Sequence, residues 1–141
     1  MKRFIYDTLL TWKESGDRKP PIIEGIRQCG KTWILKHFGE AEFSDVAYFN
    51  FEYDGRLHKV FEGDLNVSRI IKDLGILRNK SIHPGTTLLI LDEIQICPRG
   101  ITSLKYFCEN LPDLHVAAAG SLLGVSIAQM GRNVSFPVGK V

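Results

Sequence analysis

Residues 25–32 read Gly-Ile-Arg-Gln-Cys-Gly-Lys-Thr, and this octapeptide constrains the fold more than any other stretch of the chain. It fits the pattern G-x-x-x-x-G-K-[ST]. Two glycines let a backbone curl until successive N–H groups face inward, a concavity suited to phosphate oxygens, and a helix beginning directly afterwards adds the positive end of its dipole. Such a loop works only if a strand delivers the chain to the first glycine and a helix carries it away. The flanks comply: Ile22-Ile23-Glu24 is a short apolar run leading into Gly25, and Lys31 to Phe38 sets Ile34, Leu35 and Phe38 at helical spacing before Gly39 closes the helix. Gly25, Ile26, Arg27, Gln28, Cys29, Gly30, Lys31 and Thr32 are therefore candidate nucleotide-binding residues. Lys31 has the reach for β- and γ-phosphates, and the Thr32 hydroxyl is a candidate Mg²⁺ ligand. The bland alternative is a glycine-rich turn that only links strand to helix.

The rest of the chain repeats this alternation, the signature of parallel α/β layering. Ile5, Leu9 and Trp12 form one face of an opening helix that ends at Gly16. Val46 to Glu52 reads as a second strand, in which Tyr48, Phe49, Phe51 and Tyr53 alternate faces as core and edge packing. Val67, Ile70, Ile71, Leu74 and Leu77 recur at helical spacing, and His83-Pro84-Gly85 makes a turn. Thr87 to Leu91 is unbroken apolar sequence, as suits a central strand covered on both faces. Pro98 starts a helix through Ile101, Leu104, Phe107 and Cys108 that stops before Pro112, and Leu114 to Ala119 is a fourth strand. Residues 124–141 carry no clear element.

Leu88-Leu89-Ile90-Leu91-Asp92-Glu93 supplies the second chemical element, paired carboxylates at a strand end. In a phosphate-loop fold the acid at the tip of a neighbouring strand holds Mg²⁺, a role that falls to Asp92. Glu93 is placed to polarise the water that attacks a γ-phosphate. An apolar run ending in acids is common alone; its position after the octapeptide gives it weight. Ser121, directly beyond the fourth strand, has two roles open to it: contact with the γ-phosphate or attacking water, or ending the strand and capping the next helix. Arg27, Gln95, Arg99 and Arg132 can each meet phosphate or a neighbouring subunit, with a solvated surface as the plainer reading of each. Cys29 is either a reactive thiol, its pKa lowered by the loop, or a small space-filler. The four histidines show no metal-ligand spacing, and His115 reads as packed.

Composition narrows the remaining classes. Eighteen Lys+Arg against 16 Asp+Glu give a net charge of +2 over 141 residues, and no face is basic enough to read as a nucleic-acid footprint. The longest apolar stretches fall well short of the ~20 residues of a membrane-spanning helix. Asp7, Lys13 and Glu14 interrupt the N-terminal segment, so it does not read as a secretion signal, and the expected location is cytoplasmic. Three cysteines without a CxxC pair fit reduced thiols.

Taken together, IIEGIRQCGKT, FNFE, LLILDEIQICPRGITSLKYFCENLP, AAAGSLLGV and SFPVGKV resemble the prokaryotic AAA-superfamily ATPases that carry an uncharacterised C-terminal domain. The likeness covers nearly the whole chain. It implies a P-loop NTPase fold, a three-layer α/β/α sandwich with a mostly parallel sheet, in which the Ser121 strand inserts between the phosphate-loop strand and the Asp92 strand. It further implies ATP and Mg²⁺ as ligands, Lys31, Glu93 and Ser121 as catalytic residues, and Thr32 and Asp92 at the metal. Family members continue into a fifth core strand, a lid and the C-terminal domain, so the expectation is one domain over residues 1–141, truncated. Its parts are a helix and linker over 1–19, the core over 20–123, and over 124–141 the start of a connection to missing parts. Arg132 lies roughly where AAA proteins place an arginine finger.

Two functions emerge as expectations. The first is an ATPase domain in which MgATP hydrolysis drives a conformational change. The second is a non-hydrolysing nucleotide switch that self-associates or binds a partner protein, or DNA through parts beyond this chain. A small-molecule kinase lacks a visible acceptor site, and a GTPase would need NKxD where Asn79-Lys80-Ser81-Ile82 lacks the Asp.

Overall fold

A computed structural model describes residues 2–15, 19–25 and 30–121. Its elements, in chain order, are α1 (Lys2–Glu14), β1 (Ile22–Gly25), α2 (Lys31–Glu42), β2 (Asp45–Asn50), α3 (Arg56–Val60), α4 (Val67–Arg78), β3 (Thr87–Asp92), a 3-10 turn (Ile94–Ile96), α5 (Pro98–Asn110) and β4 (His115–Ser121). The four strands form one parallel sheet in the order β1-β4-β3-β2. β4 thus inserts between β1 and β3, as the family resemblance implies.

Side chains alternate across this sheet, as the two-residue period of a strand requires. Ile22, Ala47, Phe49, Leu89, Leu91, Val116 and Ala118 face α3, α4 and α5, where Leu57, Ile70, Leu74, Ile101, Leu104 and Phe107 complete one core. Ile23, Leu88, Ile90, Ala117 and Ala119 face the other way, onto Leu9, Trp12, Ile34, Leu35 and Phe38 of α1 and α2. Every residue of β3 is buried, which explains its unbroken apolar sequence. Each fully buried Leu, Ile or Phe contributes roughly 1.5–3 kcal/mol, so the two cores fix the three layers.

Local chemistry sets the ends of the elements. Pro98 opens α5, where its fixed φ costs nothing. The Asn66 side chain accepts the Arg69 N–H to start α4, and Asn79, at φ 61°, closes it. α1 is tied down by Tyr6 Oη donating to Glu42 (2.8 Å) and by Trp12 Nε1 donating to the Lys19 carbonyl (2.9 Å). Its expected cap, Gly16, lies outside the described residues.

Several elements differ from the sequence reading, β4 among them, which runs to Ser121 and not only to Ala119. α2 does not stop at Gly39 but runs on to Glu42. A Cβ at Gly39 would sit 2.6 Å from Val46 Cγ2, so this glycine lets the helix approach β2 closely and is not a terminator. β2 ends at Asn50, because the Asn50 carboxamide oxygen accepts the Glu52 and Tyr53 N–H groups and turns the chain. α3 carried no periodic signal, being only 5 residues long. Among the described residues no helix is long and apolar enough to cross a membrane.

Candidate functional site

In an open parallel sheet, ligands bind beyond the C-terminal ends of the strands, where the strand order switches direction. Here that edge joins Gly25, Ser121 and Asp92. Gly25 and Ser121 are register partners at the ends of β1 and β4, and Asp92 ends β3. The sequence motifs therefore converge although Thr32 and Asp92 are 60 residues apart.

The loop enters α2 through Gly30, whose φ of 88° is in the left-handed region that glycine adopts freely. A glycine at this position offers no capping side chain, and the N-terminal amides of a helix are groups that suit an anion. Ile26, Arg27, Gln28 and Cys29 lie outside the described residues, as does Arg132.

In the first turn of α2, Thr32 Oγ1 donates to Asp92 Oδ2 at 2.7 Å. Asp92 is 1% exposed, and its other oxygen accepts the Glu93 N–H at 2.8 Å. These are hard oxygen donors side by side. Such a set fits Mg²⁺, which binds through one or two protein oxygens and completes its octahedron with water and phosphate.

Glu93 follows in a left-handed conformation, φ 54° and ψ 44°. This is uncommon for a non-glycine residue, and such outliers cluster at functional sites. Its buried carboxylate accepts from Gln95 Nε2 at 2.8 Å. Gln95 is thus part of the site and not a solvated side chain. Arg99 is also engaged, its guanidinium donating to the carbonyls of Phe61 and Gly63, so it ties loops together and is not free for phosphate.

Tyr48 has a role that sequence reasoning missed. It packs against the core under α2, as read, but it also donates from Oη to Asp92 Oδ2 at 2.5 Å, while Asn50 Nδ2 donates to the phenol oxygen at 3.2 Å. Burial, and then the hydrogen bond to Asp92, pushes the phenol above its usual pKa, which keeps it a proton donor. Lys36 Nζ lies 3.9 Å from the centre of the Tyr48 ring. The available signal was positional: Tyr48 and Asn50 share a strand face next to a phosphate loop, and Lys36 stands four residues after Thr32 on α2. Of the other aromatics, Phe49 and Phe51 are core, while Tyr53 lies beyond the strand and is 80% exposed. His115 is packed, with Nε2 near the Lys13 carbonyl and its ring edge-on to Trp12 and Phe43.

A family model described as an AAA domain matches residues 17–136. No curated protein sequence matches the chain. Among solved structures, the Orc1 protein of Aeropyrum pernix in complex with DNA is similar, with a TM-score of 0.57 and 16% identity over 99% of this chain. The chain spans 42% of that protein's length. At such identity the likeness is one of fold: the parallel sheet between helical layers is that of the P-loop NTPases.

Proposed function

This chain belongs to the AAA domain family, as an ATP-binding domain of the AAA type, and from that premise we propose that it holds MgATP at the C-terminal edge of the sheet and hydrolyses it. The observation that carries the reading is the 2.7 Å hydrogen bond from Thr32 to Asp92, which joins the phosphate loop to the acidic strand tip. Gly25 to Thr32 would wrap the phosphates with backbone N–H groups, with Lys31 countering negative charge on the β- and γ-phosphates. Thr32 and Asp92 would hold Mg²⁺, which when bound neutralises charge on the phosphate oxygens.

Glu93 is the proposed general base. It takes a proton from water as the water oxygen attacks the γ-phosphorus, and the bond to the β–γ bridging oxygen breaks to leave ADP and inorganic phosphate. Its burial keeps the carboxylate away from bulk water; Gln95 holds Oε1, so Oε2 is the oxygen that would accept that proton. Ser121, at the end of β4, would meet the γ-phosphate or the attacking water.

The bond from Gln95 to Glu93 also favours a second reading, a nucleotide switch that binds without turnover. In that reading the bound state recruits a partner protein, a second copy or nucleic acid; the Orc1 protein similar in fold is bound to DNA. Steady-state phosphate release separates the two. The hydrolytic reading expects release that falls about 10²–10⁴-fold in Glu93→Gln with ATP still bound. Equal release from both proteins removes Glu93 from catalysis and leaves the switch.

A further inference from the structure

We propose that Tyr48 is a positioning residue for the Asp92 carboxylate, and that Lys36 strengthens it through the face of the ring; this rests on the MgATP reading above. Three donors fix Asp92, each from a different element: Thr32 Oγ1 of α2, Tyr48 Oη of β2 and the Glu93 N–H beyond β3. Two of them converge on Oδ2. The Thr32 hydroxyl is itself a proposed metal ligand, so among the described residues Tyr48 is the donor to Oδ2 that does not also have to serve the metal.

The strand geometry explains how a tyrosine two residues short of the strand end reaches this far. Register pairs Asn50 with Asp92 and Tyr48 with Ile90, and a long side chain on a strand leans along the strand direction. Asn50 Nδ2 then occupies the acceptor side of the phenol oxygen, which aims the phenol hydrogen at Asp92. Lys36 Nζ, 3.9 Å from the ring centroid, draws electron density toward the ring and makes the O–H a stronger donor. A carboxylate held in this way does not have to be ordered each time a cation arrives. Hydrogen-bond partners behind metal ligands characteristically affect affinity about 10–100-fold when removed.

The experiment compares wild type, Tyr48→Phe and Lys36→Met. Affinity for a fluorescent ATP analogue is measured in EDTA, and a Mg²⁺ titration is then run at fixed nucleotide. Mn²⁺ bound in place of Mg²⁺, counted by electron paramagnetic resonance, gives a readout independent of turnover. Tyr48→Phe keeps the ring and its packing. The expected result is EDTA affinity within about twofold of wild type, with the metal midpoint raised about tenfold in Tyr48→Phe and about threefold in Lys36→Met. An unchanged metal midpoint in Tyr48→Phe overturns the proposal while leaving the MgATP reading intact. An equal loss of affinity in EDTA and in Mg²⁺ makes Tyr48 a structural support only and also overturns it. Should Tyr48→Phe fail to fold, the surface variant Lys36→Met decides, and an unshifted midpoint counts against the proposal. A wild type that binds no nucleotide under either condition overturns both.

Discussion

Asp45 opens β2 and Asp92 closes the neighbouring β3, so the two carboxylates stand at opposite edges of the same sheet. Asp45 is met by charge: Arg78 at 2.6 Å and Lys80 at 3.2 Å, with the Thr87 hydroxyl at 3.3 Å. The Arg78 hydrogen bond, against the opposing effect of burial and with help from Lys80, holds the Asp45 carboxyl well below the usual range. Asp92 is more deeply buried, yet among the described residues its partners are two hydroxyls and a backbone amide, all neutral. A buried carboxylate without a counter-charge is costly. Among the described residues, one edge of the sheet balances its carboxylate with cationic side chains, and at the other edge the partners are neutral, as a proposed cation site requires. The first arrangement serves stability, and the second fits the binding proposed above.

The contrast can be broken by substitution. Asp92→Asn removes a buried charge that has neutral partners among the described residues but keeps the shape, so MgATP affinity should fall about 100-fold while the free energy of unfolding stays level or rises. Calorimetry and urea denaturation measure the two. A variant that lost stability and kept its affinity would place Asp92 in the same class as Asp45. At the other edge, Arg78→Ala strips Asp45 of its main partner and leaves the carbonyls of Lys80 and Ser81 without their donor. It should cost about 2–3 kcal/mol of stability with no change in nucleotide affinity.

Acid titration sharpens the same point. Because the folded pKa of Asp45 is depressed, its stabilising contribution is present above the unfolded value of about 3.9 and is lost as pH falls through the folded pKa. Asp45→Asn should accordingly flatten the acid limb of the stability curve; an unchanged limb would mean that other carboxylates govern it. The smallest effect belongs to Lys80→Ala. The Lys80 side chain is 64% exposed, so the change in urea midpoint should correspond to about 0–1 kcal/mol.

Much of this molecule can be read from its sequence because burial and periodicity coincide. β3 is apolar throughout since both faces are covered, and α4 and α5 repeat apolar residues along the stripe that meets the sheet. The octapeptide and the Asp92-Glu93 pair stand out in the sequence because a phosphate-loop site asks for particular residue types, and the structure brings Thr32 and Asp92 together. Tyr48 does not stand out, since a tyrosine on a strand satisfies packing and hydrogen bonding with one side chain, and only the register between β2 and β3 brings its hydroxyl to Asp92. Gly39 misled for a related reason. Its small size answers Val46, a residue of the following strand that helical periodicity does not place beside it and only the fold brings close. The strand order was likewise a matter of family resemblance, because local pattern carries no record of which strands become neighbours.

Whether the sheet edge containing Thr32 and Asp92 is a MgATP site is tested most directly by calorimetric titration of MgATP into wild type and Lys31→Ala. Wild type should bind saturably, and Lys31→Ala should lose that binding while remaining folded. A well-folded wild type that gives no binding, or a Lys31→Ala variant that binds as tightly as wild type, would contradict the assignment.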